Sequence, residues 1–260
     1  MGDPVELSWD DTVATIKLNR PDAANSLSLQ VAQDLLEAVR ECSAGPARAV
    51  LITGVGKVFC TGGDLKEFSA QGERIADHLQ RTADAMHAAI LSLVQLNAPI
   101  IAAVNGVAAG AGMSLACACD LALAAQSARF TMAYTRVGLS PDGSGTWFIP
   151  RLIGHRRALE LAITNRTLTA AEALDWGLVT RVLADDALAT EANSIAHQLA
   201  DGPTLAYAAA RQLMHQGWTN PLSKQLDLET QSIARLGASD DAQEGMHAFI
   251  EKRPAKFTGC

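Results

Sequence analysis

Residues 99–125 read PIIAAVNGVAAGAGMSLACACDLALAA, and the fold turns on how this stretch is divided. The run APIIAAVNG (98–106) is compact and apolar and ends in glycine, as suits a strand buried on both faces. AGAGMSLACACD (109–120) then reads as a glycine turn opening a helix of small residues. DLALAAQSARFTMA (120–133) holds two more short strands around QSAR. Strands that alternate with helices imply parallel pairing with helical crossovers, so the expected class is α/β.

The same alternation extends outward. VATIKLNRP (13–21) sets Ala14, Ile16 and Leu18 against Thr15, Lys17 and Asn19, a strand with one buried face. SLQVAQDLLEAVREC (28–42) carries Val31, Leu35, Leu36 and Val39 at helical spacing, with Ser28 as its N-cap. ARAVLITG (47–54) is another buried strand, and 74–96 a long helix with Ile75, Leu79, Ala83, Met86, Ile90 and Leu93 on one stripe. From about residue 155 the pattern changes. HRRALELAIT and TAAEALDWG are helices, the second with a capping box from Thr169 to Glu172 and a stop at Gly177. After a short strand, LVTRVL, helical periodicity fills 186–200, 203–216, 221–236 and 240–252. No simple repeat or low-complexity segment is visible. A helical tail after an α/β body suits packing against another subunit.

Composition narrows the function. At 260 residues, 48% hydrophobic and 19% charged, the chain can bury a sizeable core. Its net charge of −7 argues against nucleic acid or an anionic membrane as the main partner, although a few local cations or a helix N-terminus can still hold an anionic small ligand. No apolar run is long enough to span a bilayer, and MGDPVELSWDD lacks the pattern of a signal peptide. Five cysteines, an odd number, fit a reducing compartment. The expected location is cytoplasmic.

Two segments are richer in glycine than connections require. FCTGGDLKEF (59–68) sets Gly62-Gly63 before Asp64, and NGVAAGAGMSLA (105–116) has Gly110 and Gly112 where a helix should start. Two backbone N–H donors converging on one oxygen would form an oxyanion hole, reinforced by a helix N-terminus. Each cluster alone is also explained by tight strand-to-helix packing. GAGMSL matches only part of a dinucleotide fingerprint, and no ribose-binding acid follows it, so nicotinamide binding is rejected. A third segment, VGLSPDGSGTWF (137–148), holds a lone carboxylate, Asp142, between Pro141 and Gly143. Pro-Asp-Gly is ordinary turn chemistry, but a solitary acid beside Leu139, Trp147 and Phe148 also suits a desolvated general base.

Taken in order, LNRPDAANSLS, ITGVGKVFCTGGDLKEF, PIIAAVNGVAAGAGMSLACACDLALAA and VGLSPDGSGTWFIPRLIG resemble the successive signatures of the crotonase (enoyl-CoA hydratase/isomerase) superfamily. The similarity continues through LTAAEALDWGLVTRV to KRPAKFTG, essentially the whole chain. The resemblance implies a spiral of ββα units over 1–195 and a helical C-terminal trimerisation region over 196–260. It implies a homotrimer or dimer of trimers and an acyl-CoA thioester substrate whose oxygen sits between the N–H groups of Gly63 and Ala111. No metal or redox cofactor is expected, since coenzyme A is part of the substrate.

Hydratases of this family resemble one another in using two glutamates, at positions that here are Ser114 and Tyr134. Neither can act as a base near neutral pH, because tyrosine titrates near about 10 and serine far higher. Isomerases of the superfamily, the phenylacetate-pathway type most closely, carry an acid in a matching G-L-x-P-D context, which points to Asp142 as a proton shuttle. NGVAAGAG, ITNRTL, DWGLV and HQGWTNP also resemble aroyl-CoA dehalogenases, whose histidine would fall at His87. Those enzymes place a tryptophan where this chain has Tyr134, so His87 is expected on the helix surface or lining the pocket. Enoyl-CoA hydration, through Asp142 and water, is the runner-up reading, and a non-catalytic CoA-ester binder is a further one. Candidate substrate contacts are Ala24, Lys66, Phe68, Tyr134 and Trp147. Arg20, Lys252, Lys256 and Phe257 are candidates for the CoA phosphates, the C-terminal ones from a neighbouring subunit. Asp64 is expected to fix the turn as a helix cap, Cys60 to border the pocket, and Cys117 and Cys119 to pack in the core.

Overall fold

The computed structural model describes residues 2–260. Its strands are β1 (Val5–Asp10), β2 (Val13–Leu18), β3 (Ala49–Gly54), β4 (Val58–Cys60), β5 (Ile100–Val104), β6 (Val107–Ala109), β7 (Leu121–Ala125), β8 (Arg129–Thr131), β9 (Leu168–Thr169) and β10 (Arg181–Leu183). The helices up to the middle of the chain are α1 (Leu29–Ala44), α2 (Leu65–Ser69), α3 (Ile75–Gln95), α4 (Ala111–Ala118), α5 (Gly145–Ile153) and α6 (His155–Thr164). They are followed by α7 (Ala170–Trp176), α8 (Leu188–Ala200), α9 (Thr204–Gly217), α10 (Leu222–Gly237) and α11 (Asp240–Glu251).

The strands form two sheets, one in the order β1-β2-β3-β5-β7-β10 and one in the order β4-β6-β8-β9. Pairing is parallel except for β1 with β2 and β8 with β9. From β3 to β7 each strand of the large sheet is followed at once by one of the small sheet and then by helix: β3-β4, β5-β6, β7-β8. Three ββα units therefore wind as a spiral, as the family resemblance implies. The repeat is one of topology, which is why no repeat of residues is visible.

Burial sets the register. Ile16, Ile52, Ala102 and Ala122 lie side by side across four strands, and all are buried. Phe59 and Phe130, on β4 and β8, are completely buried and anchor the small sheet. On α1, Ser28 caps the N-terminus by accepting from the Val31 N–H, while Val31, Leu35, Val39 and Cys42 face inward. The cap is worth about 1 kcal/mol, whereas each large apolar side chain buried contributes about 1.5–3 kcal/mol. Burial thus decides which face turns inward, and the cap decides where the helix begins. The capping box of Thr169 with Glu172 and the left-handed Gly177 at the C-cap bound α7 as expected. Leu188, Ala192, Ala196 and Ala200 of α8 are buried, and the helix packs against β3, β5 and β7. Residue 195, the expected end of the spiral core, falls within this helix. No helix of the described residues is long and apolar enough to cross a membrane.

The short helix α4 seats directly on β4. A Cβ built on Gly112 would lie 2.3 Å from the Cys60 carbonyl oxygen and 2.8 Å from its Sγ, so only glycine fits without moving backbone. Gly112→Ala is expected to destabilise the protein by about 1–3 kcal/mol through overpacking. Gly237→Ala, in a helix with nothing within 4 Å of the added carbon, should be neutral or stabilising by up to about 1 kcal/mol. Urea-denaturation midpoints of the two variants check the contrast.

Candidate active site

The site begins where β4 ends. Leu27 and Gly63 form an isolated parallel bridge in which the Leu27 N–H donates to the Gly62 carbonyl (2.8 Å) and the Asp64 N–H to the Leu27 carbonyl (3.0 Å). In a parallel bridge of this kind the central residue's own N–H points away from the partner, so Gly63 keeps its donor free for the opposite side. The second donor comes from α4. Gly110 takes φ +52°, and the helix starts at Ala111, whose N–H has no partner one turn back. The two turns touch: a Cβ on Gly62 would sit 2.9 Å from the Ala109 oxygen and 3.2 Å from the Ala111 nitrogen. Gly63 and Ala111 both line one cavity of about 450 Å³.

That cavity is mostly apolar. Leu27, Phe68, Leu79, Ala83 and Met86 form one side, and Val137 and Leu139 the other. The α3 stripe is thus shared: Leu79, Ala83 and Met86 line the cavity, Ile90 and Leu93 enter the core, and Ile75 is exposed. Asp142 is the one carboxylate among the described residues lining the cavity. Its loop lies against the helix start, since a Cβ on Gly143 would be 3.6 Å from the Ala111 Cβ.

The loop is held from several directions. Ser114 Oγ donates to the Asp142 carbonyl at 3.1 Å, Tyr134 Oη to the same oxygen at 3.2 Å, and the Gly145 N–H at 3.0 Å. The two hydroxyls are also 3.2 Å apart. Ser114 is completely buried. Burial, and then the nearby Asp142 charge, push the Tyr134 phenol well above its ordinary value, so it stays a neutral donor. His87 does more than the sequence suggests. It is exposed on α3, yet its Nε2 accepts from the Gly143 N–H at 3.2 Å.

Asp64 caps α2: its Oδ1 accepts from the Glu67 N–H and its Oδ2 pairs with Arg20 at 3.0 Å. Burial alone would raise this carboxyl, but the Glu67 N–H and the Arg20 guanidinium hold it below its ordinary value. Within the chain Arg20 pairs with Asp64 and donates to the Ser26 carbonyl. Burial pushes the Cys60 and Cys117 thiols up to about 12, so neither is a nucleophile near neutral pH.

The other expected contacts divide. Phe68 and Tyr134 line the cavity. Ala24, left-handed at φ +51°, sits beside it with its carbonyl accepting from Thr61, while Lys66 is exposed on α2 outside the lining. Trp147 and Phe148 do not surround Asp142. Starting at Gly145, α5 turns Trp147 against Trp218, with the Arg151 guanidinium 3.6 Å over its ring, and Phe148 against His215 and Trp218. Only Leu139 of that expected trio lines the cavity. Within one chain Lys256 and Phe257 lie elsewhere. The Lys256 N–H donates to Glu244, the Phe257 carbonyl accepts from Arg48, and Lys252 is the left-handed C-cap of α11. Sequence reasoning missed Arg136, Thr61 and the wall from Leu27, whose only signal is proximity to the glycine turns.

A family model described as enoyl-CoA hydratase/isomerase matches residues 9–260. A Rhodobacter capsulatus protein named "probable enoyl-CoA hydratase" is 41% identical over 95% of each chain. The 1,2-epoxyphenylacetyl-CoA isomerase of Escherichia coli is 39% identical, again over 95% of each. The crystal structure of an enoyl-CoA hydratase from Bacillus anthracis superposes with a TM-score of 0.93 at 33% identity, covering 99% of this chain and 100% of that one. The chain belongs to the enoyl-CoA hydratase/isomerase family, with the crotonase fold. It is an enzyme of that class, and acyl-CoA binding follows from the family.

The Asp64 cap makes a pH prediction. Because the folded carboxyl titrates below its unfolded value of 3.8, its stabilisation is complete above that value and is lost as the pH falls through the lower folded one. Asp64→Asn should therefore lower the urea midpoint most at neutral pH. The difference from wild type should shrink as the pH drops below 3.8, read by fluorescence titrations across acid pH.

Proposed function

We propose that the enzyme is an acyl-CoA isomerase that works through an enolate, with Asp142 as its only proton carrier. The carboxylate of Asp142 removes a proton from the carbon beside the thioester carbonyl. The electron pair of that C–H bond moves toward the carbonyl oxygen, giving a dienolate held by the Gly63 and Ala111 N–H groups. The protonated Asp142 returns the proton two carbons along, and the carbonyl re-forms with the double bond in conjugation. One group serves as base and then as acid, so one carboxylate suffices. No cofactor is required beyond the coenzyme A of the substrate.

The observation carrying this reading is the pairing of Asp142 with neutral hydroxyls. Where hydratases resemble one another in placing glutamates, Ser114 and Tyr134 donate to the Asp142 backbone instead. The 39% identity to the 1,2-epoxyphenylacetyl-CoA isomerase supports an isomerisation and agrees with a ring-derived thioester in an apolar cavity. A fatty enoyl chain fits the same walls. Hydration is the second reading, supported by the name of the Rhodobacter capsulatus relative, and it would require Asp142 alone to activate water. We also take the chain to be a homotrimer or dimer of trimers. Leu222 and Ile233 on α10 and Phe249 and Ile250 on α11 are large, apolar and largely exposed, which favours a covering subunit. A neighbour's Lys256 and Phe257 would then approach the coenzyme.

Wild type and Asp142→Asn, each given 3-enoyl-CoA, 2-enoyl-CoA and 4-chlorobenzoyl-CoA in D₂O, separate the readings by mass spectrometry. Conversion of the 3-enoyl to the 2-enoyl thioester without added water, with deuterium gained only as far as the protonated Asp142 exchanges with solvent, is expected and should fall at least about 10²-fold on the substitution. Water addition to 2-enoyl-CoA that survives the substitution would overturn the mechanism, and chloride release would indicate a dehalogenase. Sedimentation velocity should give a mass of three or six times 27.4 kDa.

A further inference from the structure

Behind the oxyanion turn lies a carboxylate–imidazole pair that the chemistry above does not use. Glu67 stands on α2, and its N–H is taken by the Asp64 cap. Its Oε1 accepts from the Leu29 N–H, at the first residue of α1, at 3.1 Å. The same oxygen lies 2.8 Å from Nε2 of His78 on α3. A carboxylate at a helix N-terminus is favoured by the helix dipole, so the first contact is a natural seat for the charge. His78 is 9% exposed and Phe68 only 7%, and their rings meet edge to face at 5.9 Å. Phe68 in turn covers Gly63: a Cβ built on that glycine would be 2.5 Å from the Phe68 ring.

These contacts close a circuit. Gly63 is bridged to Leu27, two residues before the Leu29 N–H that Glu67 accepts. The His78 carbonyl accepts from Thr82 Oγ1 at 2.9 Å, and Thr82 and the neighbouring Leu79 line the cavity. One pair therefore joins the start of α1, the helix behind the first oxyanion donor, and the wall of the acyl cavity. We propose that Glu67 and His78 are positioning residues that fix the aim of the Gly63 N–H relative to the acyl wall, an inference that rests on the active-site reading above. They act through Phe68, whose ring pins Gly63, and they touch no reacting atom.

The physical stake is angular. An oxyanion donor is useful only where it meets the developing charge, and losing one costs about 10²–10³-fold in kcat. A displacement near 1 Å costs about 10²-fold. Removing the clamp should tilt the donor without abolishing it, so Glu67→Ala is expected to lower kcat by about 10- to 100-fold with a smaller change in KM. Glu67→Gln keeps an oxygen that can accept from both Leu29 and His78 and should recover most of the loss.

The deciding measurement is isotope-edited infrared spectroscopy of bound hexanoyl-CoA labelled with ¹³C at the carbonyl, a thioester without a double bond to move. Wild type should shift the carbonyl stretch to lower frequency. Glu67→Ala should reduce that shift, Glu67→Gln restore it, and Asp142→Asn leave it in place while stopping turnover. A full shift in Glu67→Ala, with only the melting temperature lowered, would show the pair to be structural and overturn the proposal. An absent shift in wild type would instead overturn the oxyanion-hole reading itself. Should Glu67→Ala fail to fold, His78→Asn supplies the same comparison with the same two outcomes.

Discussion

The site depends on one close approach, the seating of the Gly62-Gly63 turn against the Ala109–Ala111 turn. Each turn leaves one strand of the small sheet, β4 or β6, and the strands are neighbours, so their exits are brought side by side by the sheet itself. Side chains at 62 or 112 would hold them apart, because built Cβ atoms meet backbone at 2.9 Å and 2.3 Å. Gly63, in turn, has Phe68 where its side chain would be. The absence of three Cβ atoms thus does more than permit unusual dihedrals. It sets the spacing of two backbone donors that no side chain could hold as rigidly.

The parallel body was legible because burial on both faces of a strand leaves continuous apolar runs, as in ARAVLITG and APIIAAVNG. The helices of the last third were legible from caps and glycine or proline breaks, to within about two residues. The small sheet was less so: β4, β6 and β9 have two or three residues each, too few for any periodicity to register. Their pairing is decided by the strands of the large sheet that immediately precede them. At the site, the glycine turns and Asp142 could be singled out by residue type, and the structure brings them to one cavity. Trp147 and Phe148 were misplaced because helix phase at α5 directs them, and that phase depends on a start at Gly145 after the left-handed Ser144. His87 was undervalued for a related reason. Its contact is with a backbone N–H 56 positions away, which no side-chain pattern records.

Charge explains why this arrangement suits an enolate. The intermediate is an anion, and a carboxylate about 4 Å from it would cost about 4 kcal/mol at an effective dielectric of 20. That is roughly a thousandfold in rate. In the proposed mechanism Asp142 escapes this cost because it carries a proton whenever the enolate exists, and charge passes from one to the other without accumulating. A second ionised carboxylate in the cavity would not share in that exchange. Ser114 and Tyr134 bring none, and by donating to the Asp142 carbonyl they direct their O–H dipoles at the loop that carries the base. Two-carboxylate hydration would need a further acid to hold and deprotonate a water, and the positions that would supply it hold Ser114 and Tyr134, which donate to the loop. The two hydroxyls at these positions anchor the loop that carries the lone carboxylate. On the proposed reading, the lack of a glutamate pair and the anchoring of a lone carboxylate share one structural cause.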